Sequence, residues 1–120
     1  MKRIRRILHP TDFSPASRAA FTRAVEMAKA NRAELVVAHV LPPLVLPGEA
    51  YVSARMYEEI DAAARASAQK QLAALVARAK KAGVRVRARL LDGAVHDRII
   101  RAAKSERADL VIMGTHGRTG

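Results

Sequence analysis

The chain has no cysteine and no tryptophan. Without cysteine it can build no disulfide framework, thiolate ligand or sulfur nucleophile. Aromatic residues are limited to Phe13, Phe21, Tyr51 and Tyr57, although half of all residues are hydrophobic. The core must therefore be assembled from Ala, Val, Leu and Ile. Platforms on which nucleic-acid bases could stack are almost absent. No apolar run approaches the roughly 20 residues that cross a bilayer. The basic opening MKRIRRILHPTDFS carries an apolar stretch too short for a signal peptide. These absences lead to the expectation of a soluble, cytoplasmic protein with no membrane partner. At 120 residues the chain has the length of one domain with a real core.

Acidic residues are also scarce: 11 stand against 22 lysines and arginines, for a net charge of +11 and a pI near 11.3. Such a balance is expected of a nucleic-acid binder or of a protein with a polyanionic ligand. The basic residues, however, are spread along the sequence rather than gathered in one run. Together with the missing aromatics, this makes an arginine-rich solvated surface the first reading and nucleic-acid binding the second.

Four short apolar runs stand out: 4–9 (IRRILH), 34–41 (ELVVAHVL), 84–91 (VRVRARLL) and 108–113 (ADLVIM). Continuous apolar runs suit strands covered by helices on both faces. The third alternates, with Val84, Val86, Ala88 and Leu90 against Arg85, Arg87 and Arg89. One dry face and one charged face suit an edge strand guarded against edge-to-edge pairing.

Three helices separate the runs. The first opens at Ser14-Pro15, a capping residue followed by proline where its missing N–H costs nothing. Its inward stripe is Phe21, Ala24, Val25 and Ala28. The second spans 53–82, with Met56, Ile60, Ala64, Ala68, Leu72, Leu75 and Ala79 at three- and four-residue steps, and ends at Gly83. The third follows Gly93, with Val95, Ile99, Ile100 and Ala103 on one side. The order β-α-β-α-β-α-β implies a parallel sheet with right-handed crossovers. A proline-rich loop over 42–52 is a candidate flap or partner surface. The ending Gly114-Thr115-His116-Gly117-Arg118-Thr119-Gly120 reads as a loop entering a helix, so a final helix and strand are expected beyond it.

Ligands of open parallel sheets bind beyond the carboxyl ends of the strands, where strand order reverses. The segments leaving those ends are His9-Pro10-Thr11-Asp12-Phe13-Ser14, Leu41 with the proline loop, and GTHGRTG. In the glycine segment, Gly114 and Gly117 allow backbone N–H groups to approach an anion. Arg118 adds a permanent charge. The alternative there is a plain strand-to-helix turn. Asp12 can accept from an adenine amino group or a ribose hydroxyl, or merely bond nearby backbone N–H groups as a turn aspartate. There is no GxxxxGK motif ending in Ser or Thr, and no GxGxxG after the first strand, so a Walker-type or dinucleotide site is excluded. His9, His39 and His116 all fall near carboxyl strand ends, but no metal-binding spacing joins them, and His96 reads as a surface residue. No catalytic triad or carboxylate pair can be argued from spacing.

Taken together, these segments resemble the universal stress protein family. Ile7-Leu8-His9-Pro10-Thr11-Asp12-Phe13-Ser14, the strand carrying His39-Val40, and Asp109-Leu110-Val111-Ile112-Met113-Gly114-Thr115-His116-Gly117-Arg118 look like its signature stretches, and the likeness covers residues 1–120 as a single domain. The resemblance implies a doubly wound, Rossmann-like parallel sheet of the adenine nucleotide alpha hydrolase-like kind, with strand order 3-2-1-4-5. It implies ATP as ligand, with Mg, and a regulatory role in the stress response. Pro10, Thr11 and Asp12 would form the adenosine-side loop, with Val40 beside adenine. Met113, Gly114, His116, Gly117, Arg118 and Gly120 would lead into the phosphate loop. The family's motif runs Gly, two residues, Gly, nine residues, then Gly and Ser or Thr; Gly114 and Gly117 match its first half. The resemblance also implies a homodimer in the full-length form. Two rivals stand beside ATP-dependent regulation: slow ATP hydrolysis or self-phosphorylation in the same pocket, and a basic module that contacts nucleic acid or an acidic partner.

Overall fold

A computed structural model describes residues 3–44 and 52–115. Its elements run β1 (Arg6–Pro10), α1 (Pro15–Asn31), β2 (Glu34–Leu41), α2 (Ala54–Lys81), β3 (Val86–Asp92), α3 (Val95–Ser105) and β4 (Leu110–Val111). All pairings are parallel, and the strand order is β3-β2-β1-β4. The alternating arginines thus read correctly as an edge strand. Much of the proline-rich 42–52 segment lies outside the described residues.

Local chemistry sets the helix ends. Ser14 caps α1 by accepting from the Ser17 N–H at 3.2 Å, with Pro15 in the first turn. Ser53 does the same for α2 through Met56 N–H at 3.1 Å. After α2, Gly83 takes φ +87°, the left-handed conformation that ends a helix cheaply.

The sheet is covered on both faces. One core joins Ile7, Leu35 and Val37 to Phe21, Ala24 and Ala28 of α1 and Leu72, Leu75 and Ala79 of α2. On the other face Leu8, Val36, Ala38 and Val40 meet Ala102 of α3, with Ile99 packed alongside. Fully burying one such aliphatic side chain stabilises by about 1.5–3 kcal/mol, so these small residues suffice where aromatics are missing.

Two expected stripes are corrected. Met56, Tyr57 and Ile60 are exposed, and Ala64 with them; α2 is buried only from Ala68 onward. Its 28 residues span about 42 Å at 1.5 Å per residue. The eight-residue β2 covers only about 26 Å, so the first turns of α2 overhang the sheet. On α3, Val95 and Ile100 are exposed while Ala102 is buried.

The charged face of β3 is not simply solvated. Glu106, the C-cap of α3, is buried. It accepts from both guanidinium nitrogens of Arg87 and from Arg89 at 3.0 Å. Its backbone carbonyl accepts from Arg6 Nη1 at 2.7 Å. The hydrogen bonds from Arg87, aided by the charges of Arg87 and Arg89, hold the Glu106 carboxyl below its ordinary value. One carboxylate therefore ties α3 to the edge strand.

His9 ties β4 to β1. It is fully buried, and its Nδ1 lies 2.7 Å from the Ile112 carbonyl; because a carbonyl only accepts, Nδ1 carries the proton. Nε2 is buried without a hydrogen-bond partner among the described residues, so protonating it would leave a donor with no acceptor there. Burial accordingly pushes the His9 pKa below 6.5.

Two expectations follow from these ties. Glu106→Gln should lower stability by about 2 kcal/mol, read as a shift in the denaturant midpoint at neutral pH. The folded pKa of Glu106 is depressed, so its contribution is present above about pH 4.5 and disappears as pH falls through the lower folded value. An unchanged midpoint in the variant would contradict the tie. His9 also has a depressed folded pKa, so stability is full above about 6.5. As pH falls further the unfolded chain takes the proton first and stability declines. His9→Gln, which keeps a donor for Ile112, should flatten that part of the pH–stability curve.

Candidate functional site

The strand order reverses beside β1: the chain steps outward to β2 and β3, then returns to place β4 on the other side. Crevices form at such a point, beyond the carboxyl ends of the strands. A cleft of about 500 Å³ opens there. It is lined by Pro10 at the end of β1 with Thr11 and Asp12 after it, by Ala38, His39 and Val40 on β2 with Pro42 after it, and by Met113 and Gly114 after β4. Ser17 of α1 and Val95, His96 and Ile99 of α3 complete the wall.

The loop after β1 is held by its own side chains. Thr11 N–H extends the ladder to the Ala38 carbonyl at 2.8 Å. Asp12 Oδ1 accepts from the Ser14 N–H at 2.9 Å and from the Ser17 hydroxyl at 2.6 Å. The Ser17 Oγ in turn accepts from the Asp12 N–H at 3.3 Å. Phe13 N–H donates to Thr11 Oγ1 at 3.0 Å, and Phe13 sits at φ +64°, a conformation costing about 1–3 kcal/mol outside glycine. Its ring lies 4.4 Å from that of His39, whose Nδ1 donates to the Thr11 carbonyl at 2.7 Å. This network presents Asp12, an exposed residue, at a fixed place on the cleft rim.

The exit of β4 is fixed as tightly. Ile112 N–H donates to the Leu8 carbonyl at 3.0 Å. Gly114 lies so close to the first turn of α1 that an added Cβ would meet the Ala16 carbonyl oxygen at 2.5 Å and the Ser17 nitrogen at 2.8 Å. Glycine is required at 114 for packing, whatever binds nearby. The two signature segments thus touch, backbone to backbone.

Of the expected site residues, Pro10, Thr11, Asp12, Val40, Met113 and Gly114 line this single cleft. His116, Gly117, Arg118 and Gly120 lie outside the described residues. Asp12 is a turn aspartate through Oδ1, and it also lines the cleft. Ser17, Pro42, Val95, His96 and Ile99 were not expected in the wall, and His96 is a cleft residue as well as an exposed one. Ser17 could have been found from its position three residues after the cap. Nothing in α3's spacing marks Val95 or His96.

The cleft is apolar on its α3 and β2 sides, through Val40, Pro42, Val95 and Ile99. Polar groups gather on the β1 side. The first turn of α3 has no side-chain cap on its N–H groups, and Asp97 in that turn offsets the partial positive charge of the helix end. Among the described residues, no three His, Cys, Asp or Glu side chains gather to hold a metal ion. No described helix is long and apolar enough to cross a membrane.

Comparison with known proteins accords with this architecture. The Universal stress protein family matches residues 3–120. A universal stress protein of Methanocaldococcus jannaschii is 31% identical over 97% of this chain and 67% of its own length. A crystal structure of a universal stress protein family member from Burkholderia pseudomallei superposes with a TM-score of 0.79 at 30% identity, covering 97% of this chain and 85% of that one. A universal stress protein solved in complex with cAMP has a TM-score of 0.69 at 25% identity, over 92% of this chain and 72% of its own. On sequence and on fold alike, the chain belongs to the universal stress protein family.

Proposed function

We propose that the cleft binds an adenine nucleotide, ATP foremost, and that occupancy makes the protein a regulatory module of the stress response. The observation that carries this reading is the meeting, at one switch point, of an apolar wall, the braced Thr11–Asp12 loop and the exit of β4. A cavity of about 500 Å³ falls within the range of about 300–1,000 Å³ typical of small-molecule sites. A relative bound to cAMP supports the ligand class. In this reading adenine rests against Val40, Pro42, Val95 and Ile99, and Asp12 accepts from a ribose hydroxyl or the exocyclic amine. The phosphates run from Met113 and Gly114 toward His116, Gly117, Arg118 and Gly120. Magnesium belongs to the proposal as the triphosphate's counterion, held largely by phosphate oxygens and water in the manner usual for this ion. Self-association of the protein belongs to it too.

Two substitutions test the site; Asp12→Ala also removes the Oδ1 bonds to Ser14 and Ser17, so it is read beside Val95→Trp, which leaves that loop intact. Asp12→Ala should weaken ATP binding by at least about tenfold, equivalent to about 1.4 kcal/mol. Val95→Trp should fill the apolar side and weaken it similarly. Both are read by calorimetric titration of ATP with magnesium, with the melting temperature confirming a folded protein. Unchanged affinity in the two folded variants would remove the assignment. Gly114→Ala is no substitute, because its clash with Ala16 lowers stability independently of any ligand.

A further inference from the structure

The carboxyl edge of the sheet leaves most of the net positive charge unused. In a parallel sheet with helical crossovers, the helices end at the opposite, amino-terminal edge. There the fold gathers arginines that are far apart in sequence: Arg3, Arg5 and Arg6 lead into β1, Arg32 joins α1 to β2, and Arg85 precedes β3. With Glu34 they line one hollow of about 300 Å³. Spread along the sequence, these charges are brought together by the fold, since five arginines and one glutamate line a single hollow.

The acids near this edge are already engaged. Glu34 Oε1 lies 2.9 Å from Arg6 Nε and 3.6 Å from Arg87. Glu106 holds Arg87 and Arg89. Asp109 accepts the backbone N–H groups of Arg5 at 2.8 Å and Arg6 at 3.1 Å. Arg85 Nη2 donates to the Arg32 carbonyl at 3.2 Å, which fixes its guanidinium on the rim. The side chains of Arg3, Arg5 and Arg32 have no ion pair or hydrogen bond among the described residues.

Helix dipoles explain part of this charge. Lys29, Lys80, Lys81 and Lys104 occupy last turns, where cations are favourable. That argument does not reach Arg3 or Arg5, which precede a strand. Arg32, the C-cap of α1, is itself favoured there by the helix dipole, while at φ +53° glycine or asparagine would be less strained. Converging guanidinium groups repel one another unless an anion sits among them, and their planar forks match phosphate oxygens.

We propose that this arginine hollow is a second ligand site, one that grips the phosphate backbone of a nucleic acid without reading its bases. The lining has no aromatic side chain for stacking, and the flanking lysines extend the positive strip along the edge beyond the hollow. Inorganic polyphosphate offers the same oxyanions and is the competing source. The site lies a full β1 length from the cleft, about 16 Å, so it is separate from any adenine site.

The test is fluorescence anisotropy with labelled single-stranded and duplex DNA of about 20 nucleotides, from about 50 to 200 mM salt. The wild type should bind, with a log–log salt slope near −0.9 for each phosphate neutralised in duplex. The triple variant Arg5→Gln/Arg32→Asn/Arg85→Gln should lose at least about tenfold in affinity and about two to three units of slope. The charge-matched control Arg18→Gln/Arg23→Gln/Lys70→Gln should keep most of both, and Asp12→Ala should change neither. If the triple variant melts early, Arg3→Gln/Arg5→Gln alters only side chains with no ion pair or hydrogen bond among the described residues and reads the same effect. Three results would overturn the proposal: no DNA binding at the lowest salt, equal losses in the hollow and control variants, or capture of polyphosphate but not DNA.

Discussion

Two hydrogen bonds between β1 and the exit of β4 set the geometry on which the rest depends. Leu8 accepts the Ile112 N–H, and His9 donates its Nδ1 proton to the Ile112 carbonyl. Since β4 pairs with β1 at only two residues, these bonds extend its register toward the carboxyl edge. They bring Met113 and Gly114 beside the Thr11–Asp12 loop, and the close approach of Gly114 to α1 completes the join. The cleft is the space left where that join meets β2 and the first turn of α3. A buried, neutral histidine makes the arrangement sensitive to acid, because its second nitrogen meets no acceptor among the described residues.

Much of the fold was legible in the sequence because its signals are local and mutually consistent. The arginine alternation placed β3 at an edge, Ser14-Pro15 marked the start of α1, and Gly83 marked the end of α2. What could not be read was extent. Periodicity treats Met56 and Ile60 as core, yet a helix longer than the strands it crosses must overhang them. Periodicity also groups Ile100 with Ile99, though the buried contact falls to Ala102. Glu106 carried no signal at all, since a lone acid after a helix gains its role only when Arg87 and Arg89 are brought across the sheet.

The candidate site was legible to a similar degree. Residues leaving strand ends converge by topology, so Pro10, Thr11, Asp12, Val40, Met113 and Gly114 were accessible to sequence reasoning. The α3 side of the cleft was not, because which helix turn overhangs a strand end depends on loop length and packing. Gly114 is the instructive case. A glycine in a signature segment reads as an anion-binding position, whereas its immediate physical requirement is room against Ala16 and Ser17. The arginine hollow shows the converse, since residues from three separate segments form a cluster that only the folded chain reveals.

The most direct test of the central claim is where ATP binds, read by two-dimensional ¹H–¹⁵N NMR during titration with ATP and magnesium. The account expects saturable shifts at Thr11, Asp12, Val40, Val95, Met113 and Gly114, around the switch point. Shifts confined to Arg5, Arg32 and Arg85 at the opposite edge, or no saturable shift anywhere, would contradict it.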